Sequence, residues 1–236
     1  MIQFDMESLL KQYTNAVTLI KQKFDGKTDK GGKPYINHLF SVSNSIEKIV
    51  NDFMFIKAPE EVISFYKKAS ITALLHDILE DTDTKPEDLV EIGFEDDIVK
   101  AVIAITRRHD EHSYFDYIER LKENDLAKLV KIYDLEDNMD VKRLSKLEEK
   151  DLKRIKKYWN CWMYLSGQIT ADECKSNMVF VNMAGKYKAK FKSGDYIKPI
   201  DSCLGSPRTI CEVCDGWYVT NQGTLDFEFE SNWEKV

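Results

Sequence analysis

The chain has 236 residues, of which 43% are hydrophobic and 32% charged, with a formal net charge of −7 and a pI near 5.3. This composition is typical of a folded globular protein, and the acidic balance argues against long nucleic acid as a partner, because phosphates bind basic surfaces. No apolar run approaches the roughly 20 residues of a membrane span, and the N-terminus lacks a signal-peptide pattern. We therefore expect a cytoplasmic protein without a membrane partner.

The first two thirds of the chain show the periodicity of helices. Apolar residues recur at helical spacing from Leu9 to Phe24, and the segment DGKTDKGGKP, with three glycines and a proline, then interrupts the pattern. The same criteria predict further helices over residues 35–50, 59–81, 84–93, 96–106, 113–122, 125–138 and 148–165.

The composition changes after Gly167. Short alternating stretches follow one another, separated by glycine-containing turns: MVFVNM, YKAKF, DYIKPI, TICEV, GWYVT and LDFEFE. We expect an all-α helical bundle over residues 1–168, followed by a small antiparallel, barrel-like β module over residues 169–236. The role of this module is not indicated by its sequence, but it would offer a surface for a protein partner or for self-association.

Five cysteines are an odd number in a chain with no secretory signal, and this favours free thiols over a disulfide framework. Cys211 and Cys214 form a CxxC pair, which raises the alternative of a zinc site. The tail contains no histidine, and only Cys174 and Cys203 are left to complete four ligands. Reduced thiols are the favoured interpretation.

A polar motif, ALLHDILEDT, comes directly after an apolar stretch. His76 and Asp77 offer one nitrogen and one oxygen ligand, which suits a divalent ion such as Mn²⁺, Fe²⁺ or Zn²⁺. On a continuous helix, Glu80 and Asp81 would lie one turn further along, beside His76 and Asp77. Burying so many polar groups costs several kcal/mol unless a cation or hydrogen bonds compensate.

Two ligands do not hold a metal, so others are needed. The chain has four histidines, and His38 lies on a predicted helix, whereas His109 and His112 lie in a charged loop and are interpreted as solvated. The segment KIYDLEDNMD offers aspartates in an otherwise apolar helix. His38 and one of Asp134, Asp137 and Asp140 would complete a site with four protein ligands.

Three motifs in order carry a resemblance to a known family. GKPYINH, ALLHDILEDT and LVKIYDLEDNM resemble the motifs of the HD superfamily of metal-dependent phosphohydrolases, in particular the hydrolase domain of RelA/SpoT-type alarmone enzymes and small stand-alone alarmone hydrolases. The segment AITRRHDEHSYFDYIERLKENDLAKLVKIYDLEDN is also similar to small HD proteins. The resemblance covers roughly residues 5–165 and implies an HD-domain helical bundle; it does not extend to the tail.

The resemblance also implies roles for individual residues. Glu80 and Asp81 would orient or deprotonate the attacking water, and Asn138 would contact the substrate. The implied metal is Mn²⁺, and the implied reaction is hydrolysis of a phosphate or pyrophosphate ester of a small nucleotide, with guanosine tetraphosphate 3′-pyrophosphohydrolase activity as the first expectation. The implied metal ligands are His38, His76, Asp77 and Asp134.

Cationic and aromatic residues near the motifs are candidates for holding the rest of a nucleotide. Lys33, Arg107 and Lys131 would meet its phosphates. Tyr114 would stack on its base, although tyrosines spaced like Tyr114 and Tyr117 on a helix are more often part of a core. Arg107 has the alternative interpretation of a surface charge at a helix end.

One segment departs from the family pattern. Alarmone hydrolases usually have a histidine and an Arg-Lys pair in the loop before the Pro-Tyr motif, and here Phe24 and Asp29 lie near those places. The alternatives are therefore hydrolysis of a different nucleotide or phosphorylated metabolite, or a non-catalytic nucleotide-sensing module. Asp137 and Asp140 are interpreted as solvated helix charges, with Asp137 behind a metal ligand as the alternative.

Overall fold

The structure, a computed structural model, describes residues 5–183 and five short stretches beyond them, with side chains described for residues 5–178. The chain divides into two compact units, Met1–Cys174 and Lys175–Val236. The division predicted after residue 168 stays a prediction.

Residues 5–183 are helical and contain no strand, apart from one isolated bridge between Thr28 and Pro34. Within the described residues, no helix combines the length and hydropathy that a membrane span requires. A single 3₁₀ turn, Val141–Arg143, joins two of the helices. The helices are α1 Met6–Lys23, α2 Ile36–Phe55, α3 Glu60–Leu75, α4 Ile78–Asp81, α5 Pro86–Ile92, α6 Asp96–Ile105, α7 Tyr114–Lys122, α8 Asp125–Met139, α9 Glu149–Leu165 and α10 Ala171–Met183.

The predicted fold class, with its barrel-like C-terminal module, is wrong. The stretch MVFVNM, predicted as the first strand of that module, belongs to α10, because a run of Met, Val and Phe fits a helix as well as a strand. The stretch YKAKF lies outside the described residues. Within the described part of the tail, the strands pair antiparallel in the order β4-β3-β2-β1-β5, with no pairing between β4 and β5 to close a barrel. These strands are β1 Tyr196–Pro199, β2 Arg208–Cys214, β3 Trp217–Thr220, β4 Gly223–Asp226 and β5 Trp233–Lys235.

Helix α3 lies at the centre of the helical unit and packs against α1, α2, α6 and α8. Its side chains Ile71, Leu74 and Leu75 are fully buried. Burying each of them contributes about 1.5–3 kcal/mol. The C-terminal end of α3 is therefore held firmly where the polar motif begins.

The helix predicted over residues 59–81 is interrupted at His76 and Asp77. Helix α3 ends at Leu75, and α4 begins at Ile78. The His76 side chain donates from Nδ1 to the Ala73 carbonyl oxygen at 2.8 Å, which occupies an acceptor at the end of α3. The prediction of one continuous helix is wrong, and the break lies at two of the four residues that were expected to bind metal.

Candidate active site

Side chains from three separate segments converge at the break between α3 and α4. His38 comes from α2, His76 and Asp77 from the break itself, and Asp134 from α8. The Nε2 atom of His38 lies 3.1 Å from Asp134 Oδ1 and 3.7 Å from Asp77 Oδ2. The Nε2 atom of His76 lies 3.0 Å from Asp77 Oδ2 and 3.4 Å from Asp134 Oδ1.

The donor set fits a metal ion. His38, His76 and Asp77 each present one ligand atom, and these three atoms lie within 4.8 Å of one another. His76 donates its Nδ1 hydrogen to a carbonyl, so the lone pair of Nε2 faces the cluster. This Nε2 atom is buried and makes no hydrogen bond, because Asp77 Oδ2, at 3.0 Å, does not lie in the direction that a hydrogen bond requires. A buried polar atom without a partner is costly, and coordination to a cation would satisfy it.

Neighbouring side chains fix the two carboxylates. The hydroxyl of Tyr35 donates to Asp77 Oδ2 at 2.6 Å, and the Tyr35 ring stacks on Phe24. Asp134 Oδ1 accepts from Asn138 Nδ2 at 2.6 Å, and its Oδ2 accepts from Lys131 Nζ at 2.8 Å. Hydrogen bonds from neighbouring side chains therefore hold the carboxylates of Asp77 and Asp134 in place.

Asp137 is a functional candidate that the sequence analysis assigned to the solvated charges, and this interpretation is wrong. Its Oδ2 accepts from His38 Nδ1 at 2.6 Å, and its other oxygen accepts from the Ser41 hydroxyl. Arg143 also donates to it. Asp140, by contrast, is exposed and caps the 3₁₀ turn by accepting from Lys142 N at 3.0 Å. The sequence does not reveal which aspartate of α8 faces His38 on α2, because that depends on how α8 is rotated about its axis.

The electrostatic field of the cluster favours a positive charge. Burial acts to lower the pKa of His38, but hydrogen bonds to Asp134 and Asp137 outweigh it and raise the pKa. For His76, burial is likewise outweighed, chiefly by the charge of Asp77, and the pKa lies well above its ordinary value. A field that draws protons onto two buried imidazoles also attracts a metal cation.

Glu80 and Asp81 follow on α4, next to the cluster. Burial raises the pKa of Glu80, opposed by the backbone N–H of Arg107, which donates to Glu80 Oε1, and reinforced by the charge of Asp77. Burial and the charge of Asp77 also raise the pKa of Asp81. Of the two, only Glu80 lines the cavity described next.

A cavity of about 520 Å³ opens over the cluster. Part of its lining is cationic and aromatic: Lys157 Nζ lies 4.4 Å and Arg107 Cζ 5.6 Å from the centre of the Tyr114 ring. Lys131 lies 5.2 Å from the ring centre of Tyr117. Within residues 5–178, neither Arg107 nor Lys157 forms an ion pair with a carboxylate. Unpaired cations at a cavity wall are suited to an anionic ligand.

The structure brings together most of the residues singled out from the sequence. Lys33 is exposed and does not line the cavity, and its backbone N–H donates to Asp29 instead. Tyr117 is buried, as its spacing suggested, and both Tyr114 and Tyr117 line the cavity. The predicted site residues that line the cavity are His38, His76, Asp77, Glu80, Arg107, Tyr114, Lys131, Asp134 and Asn138.

Helix α9 contributes residues that the sequence analysis did not find. Arg154, Lys157 and Tyr158 line the cavity, and so do Tyr35 and Arg143. In the sequence, the cations of α9 look like the solvated face of an amphipathic helix, because Lys153, Lys156 and Lys157 occur in one short run. Nothing in this run of residues distinguishes Arg154 and Lys157 from solvated surface cations.

The chain is similar in sequence to proteins of known name. No family model matches the chain. A protein of Borreliella burgdorferi named guanosine-3′,5′-bis(diphosphate) 3′-pyrophosphohydrolase is 32% identical over 111 residues, which are 47% of this chain and 14% of that protein. A protein of Aquifex aeolicus with the same name is 30% identical over 170 residues, 66% of this chain and 22% of that protein. The chain thus spans less than a quarter of the length of these relatives.

A solved structure shares the fold. It is described as a metazoan ortholog of SpoT that hydrolyzes ppGpp and plays a role in starvation responses, and it matches with a TM-score of 0.51 at 20% identity, covering 72% of this chain and 93% of that one. Together with the two sequence relatives, it confirms the resemblance of the chain to HD-type alarmone hydrolases.

Proposed function

We propose that the protein is a metal-dependent phosphohydrolase that removes pyrophosphate from the 3′ position of guanosine-3′,5′-bis(diphosphate). One observation carries the proposal: a buried His/Asp cluster, in which His76 Nε2 makes no hydrogen bond, lines one cavity together with Arg107 and Lys157, two cations that form no ion pair within the described residues. The names of the two sequence relatives supply the substrate.

The metal site of this proposal consists of His38, His76, Asp77 and Asp134. Their Nε2 and carboxylate oxygens converge, and Mn²⁺ suits this mixed set of nitrogen and oxygen ligands. When bound, the ion lowers the pKa of a coordinated water and neutralises charge on the phosphoryl oxygens. The Nδ1 hydrogens of both imidazoles are already engaged, which keeps both Nε2 lone pairs directed at the ion.

Glu80 is the proposed general base. Its carboxylate is held by the Arg107 N–H, and its raised pKa makes it a better proton acceptor than an ordinary glutamate. Asp81 follows Glu80 on α4 and would assist by orienting Glu80 and the attacking water. Asn138 donates to Asp134 and lines the cavity, where it would contact the substrate.

The cationic wall is the proposed phosphate site. Arg107, Lys131 and Lys157 surround the Tyr114 ring, so a nucleotide could place its diphosphates against the three cations and its base against the aromatic rings of Tyr114 and Tyr158. The cations would hold ground state and transition state alike, whereas Glu80 acts only in the chemical step.

A second candidate is hydrolysis of another nucleotide or phosphorylated metabolite. It is favoured by two residues in the segment that departs from the family pattern. Phe24 is buried against Tyr35, and Asp29 pairs with Arg143 within the protein, so neither is free to bind substrate as the family's histidine and arginine do. A non-catalytic sensing role is disfavoured by the position of Glu80 beside the cluster.

The test is a turnover assay of the purified protein with Mn²⁺, Fe²⁺ or Zn²⁺ on guanosine-3′,5′-bis(diphosphate) and a panel of other nucleotides and phosphorylated metabolites. We expect Mn²⁺-dependent release of pyrophosphate, and a loss of about 10²–10⁴-fold in Glu80→Gln, because general-base catalysis contributes about that much. Metal content should be unchanged in this variant.

The matched control is Glu91→Gln, which makes the same change on the exposed face of α5 and should keep full activity. Turnover of a different panel member with none of the bis(diphosphate) would select the second candidate. No turnover of any phosphate ester with any metal would refute the hydrolase assignment and leave a sensing role.

A further inference from the structure

Arg143, at the end of the 3₁₀ turn after α8, contacts two parts of the cavity wall at once. Its side chain is 21% exposed. The guanidinium donates to Asp137 on α8, and its Nη2 lies 3.5 Å from Asp29 Oδ2 in the loop between α1 and α2. Neither the motifs nor the expected phosphate ligands included this residue.

On the metal side, Arg143 acts through Asp137 on His38. The Nδ1 hydrogen of His38 is donated to Asp137 Oδ2 at 2.6 Å, and this bond turns Nε2 towards the cluster. Arg143 Nη1 donates to the same Oδ2 and to the Asp137 carbonyl oxygen at 3.2 Å, and it lies 3.1 Å from His38 Nδ1. Because a guanidinium can only donate, it holds the Asp137 carboxylate in place as the acceptor for His38.

On the substrate side, Arg143 holds the loop of residues 27–33. Asp29 Oδ1 accepts from the N–H groups of Gly31 and Lys33, both at 2.9 Å, and its Oδ2 faces Arg143. The loop backbone packs directly on Arg143, since a Cβ atom at Gly31 would lie 2.2 Å from the Arg143 carbonyl oxygen. Residues 28–31 of this loop line the cavity.

We propose that Arg143 is a positioning residue that couples the ion-binding cluster to the 27–33 loop. The Nη1 group donates to Asp137 and so orders the hydrogen bond between Asp137 and His38. The Nη2 group contacts Asp29 and so holds the 27–33 loop, against which a substrate would pack. The substrate half of this inference rests on the proposed function; the metal half does not. Because coupling between two ligands is reciprocal, bound nucleotide should tighten metal binding by the same factor as metal tightens nucleotide binding.

The metal half is tested by titrating the metal-free 236-residue protein with Mn²⁺ in the absence of nucleotide, with free Mn²⁺ followed by electron paramagnetic resonance. We expect Arg143→Gln and Asp137→Asn each to weaken Mn²⁺ binding about 10–100-fold, the range for residues that orient a ligand. The double variant should be no weaker than the worse single variant, since both changes act through one hydrogen bond to His38.

Two variants serve as controls for this titration. Asp29→Asn removes only the loop contact, and Arg108→Gln makes the same change as Arg143→Gln on an exposed loop residue. Both should bind Mn²⁺ within twofold of the wild type.

The substrate half is tested by steady-state kinetics at saturating Mn²⁺. Asp29→Asn and Arg143→Gln should raise KM for the bis(diphosphate), whereas Asp137→Asn should not. Arg143→Lys keeps the positive charge but has one ammonium group in place of the two NH₂ groups of the guanidinium. It can therefore replace the contact with Asp137 or the contact with Asp29, and should recover either the metal affinity or the KM, but not both.

Several outcomes would overturn the inference. Arg143→Gln with unchanged melting temperature and Mn²⁺ affinity within twofold of the wild type would do so. If that variant does not fold, either of two other results would contradict the inference. One is an unaltered Mn²⁺ affinity of Asp137→Asn, and the other is a loss of Mn²⁺ affinity in Asp29→Asn as large as that in Asp137→Asn. Absence of hydrolysis by the wild type would refute the proposed function alone if the pattern of Mn²⁺ affinities holds.

Discussion

The two ring nitrogens of His76 have different surroundings, and this difference defines the candidate site. Nδ1 donates to the carbonyl of Ala73, while Nε2 is buried without a partner. Leaving a buried polar atom unsatisfied costs about 1–3 kcal/mol. The folded protein therefore carries a local cost at this atom that a bound cation would remove.

Lys157 lines the cavity beside Tyr114 and belongs to the proposed phosphate site. Removing its charge in Lys157→Gln should raise KM for the nucleotide about 10–100-fold, because a hydrogen bond to a charged group is worth about 1.5–3 kcal/mol. The kcat value should change much less, since the contact is made equally in ground and transition states. Steady-state kinetics with saturating metal measures both constants.

Lys156→Gln is the control for this prediction, as it removes the neighbouring, exposed lysine of the same helix. Equal KM values for Lys157→Gln and the wild type would contradict the placement of phosphates on the cationic wall.

At the scale of single elements, α3 determines the stability of the helical unit. Leu74→Ala should lower the free energy of unfolding by about 2–5 kcal/mol, because it leaves a cavity at a fully buried position. Leu10→Ala, at a side chain that is 63% exposed on α1, should change it by less than about 0.5 kcal/mol. Urea unfolding followed by circular dichroism compares the two, and equal effects would contradict the central position of α3.

Local periodicity predicts the helices well, because each amphipathic helix records its own buried face. Helix α2 was expected over residues 35–50 and runs from Ile36 to Phe55. The interruption at His76 was missed, because it involves a hydrogen bond from the His76 side chain to the carbonyl oxygen of Ala73, which periodicity does not record. Helix α10 was missed because apolar residues such as Met178 satisfy strand and helix patterns equally over six residues.

The candidate site is predictable to the extent that motifs carry it. His38, His76, Asp77 and Asp134 were expected together, and they lie together. The rest depends on how helices are rotated against each other, which no local pattern records. Asp137 faces His38 instead of solvent for this reason, and α9 turns Arg154, Lys157 and Tyr158 into the cavity.

At the scale of the whole molecule, the global charge and the local field differ in sign. The chain carries a net charge of −7, yet the cavity is lined by the cations Arg107, Lys131 and Lys157. Total charge therefore argues against long nucleic acid but not against a small polyphosphate, which samples only the local field. The cavity is divided between an end that attracts a metal ion and an end that attracts phosphates.

Equilibrium titration of the metal-free protein with Mn²⁺ tests the central claim most directly. We expect one ion per chain, with binding weakened by more than about 100-fold in His76→Ala, since losing a ligand costs more than losing a residue that orients one. His109→Ala, which changes an exposed loop histidine, should bind like the wild type. Absence of saturable binding in the wild type, or equal affinities for His76→Ala and His109→Ala, would contradict the account.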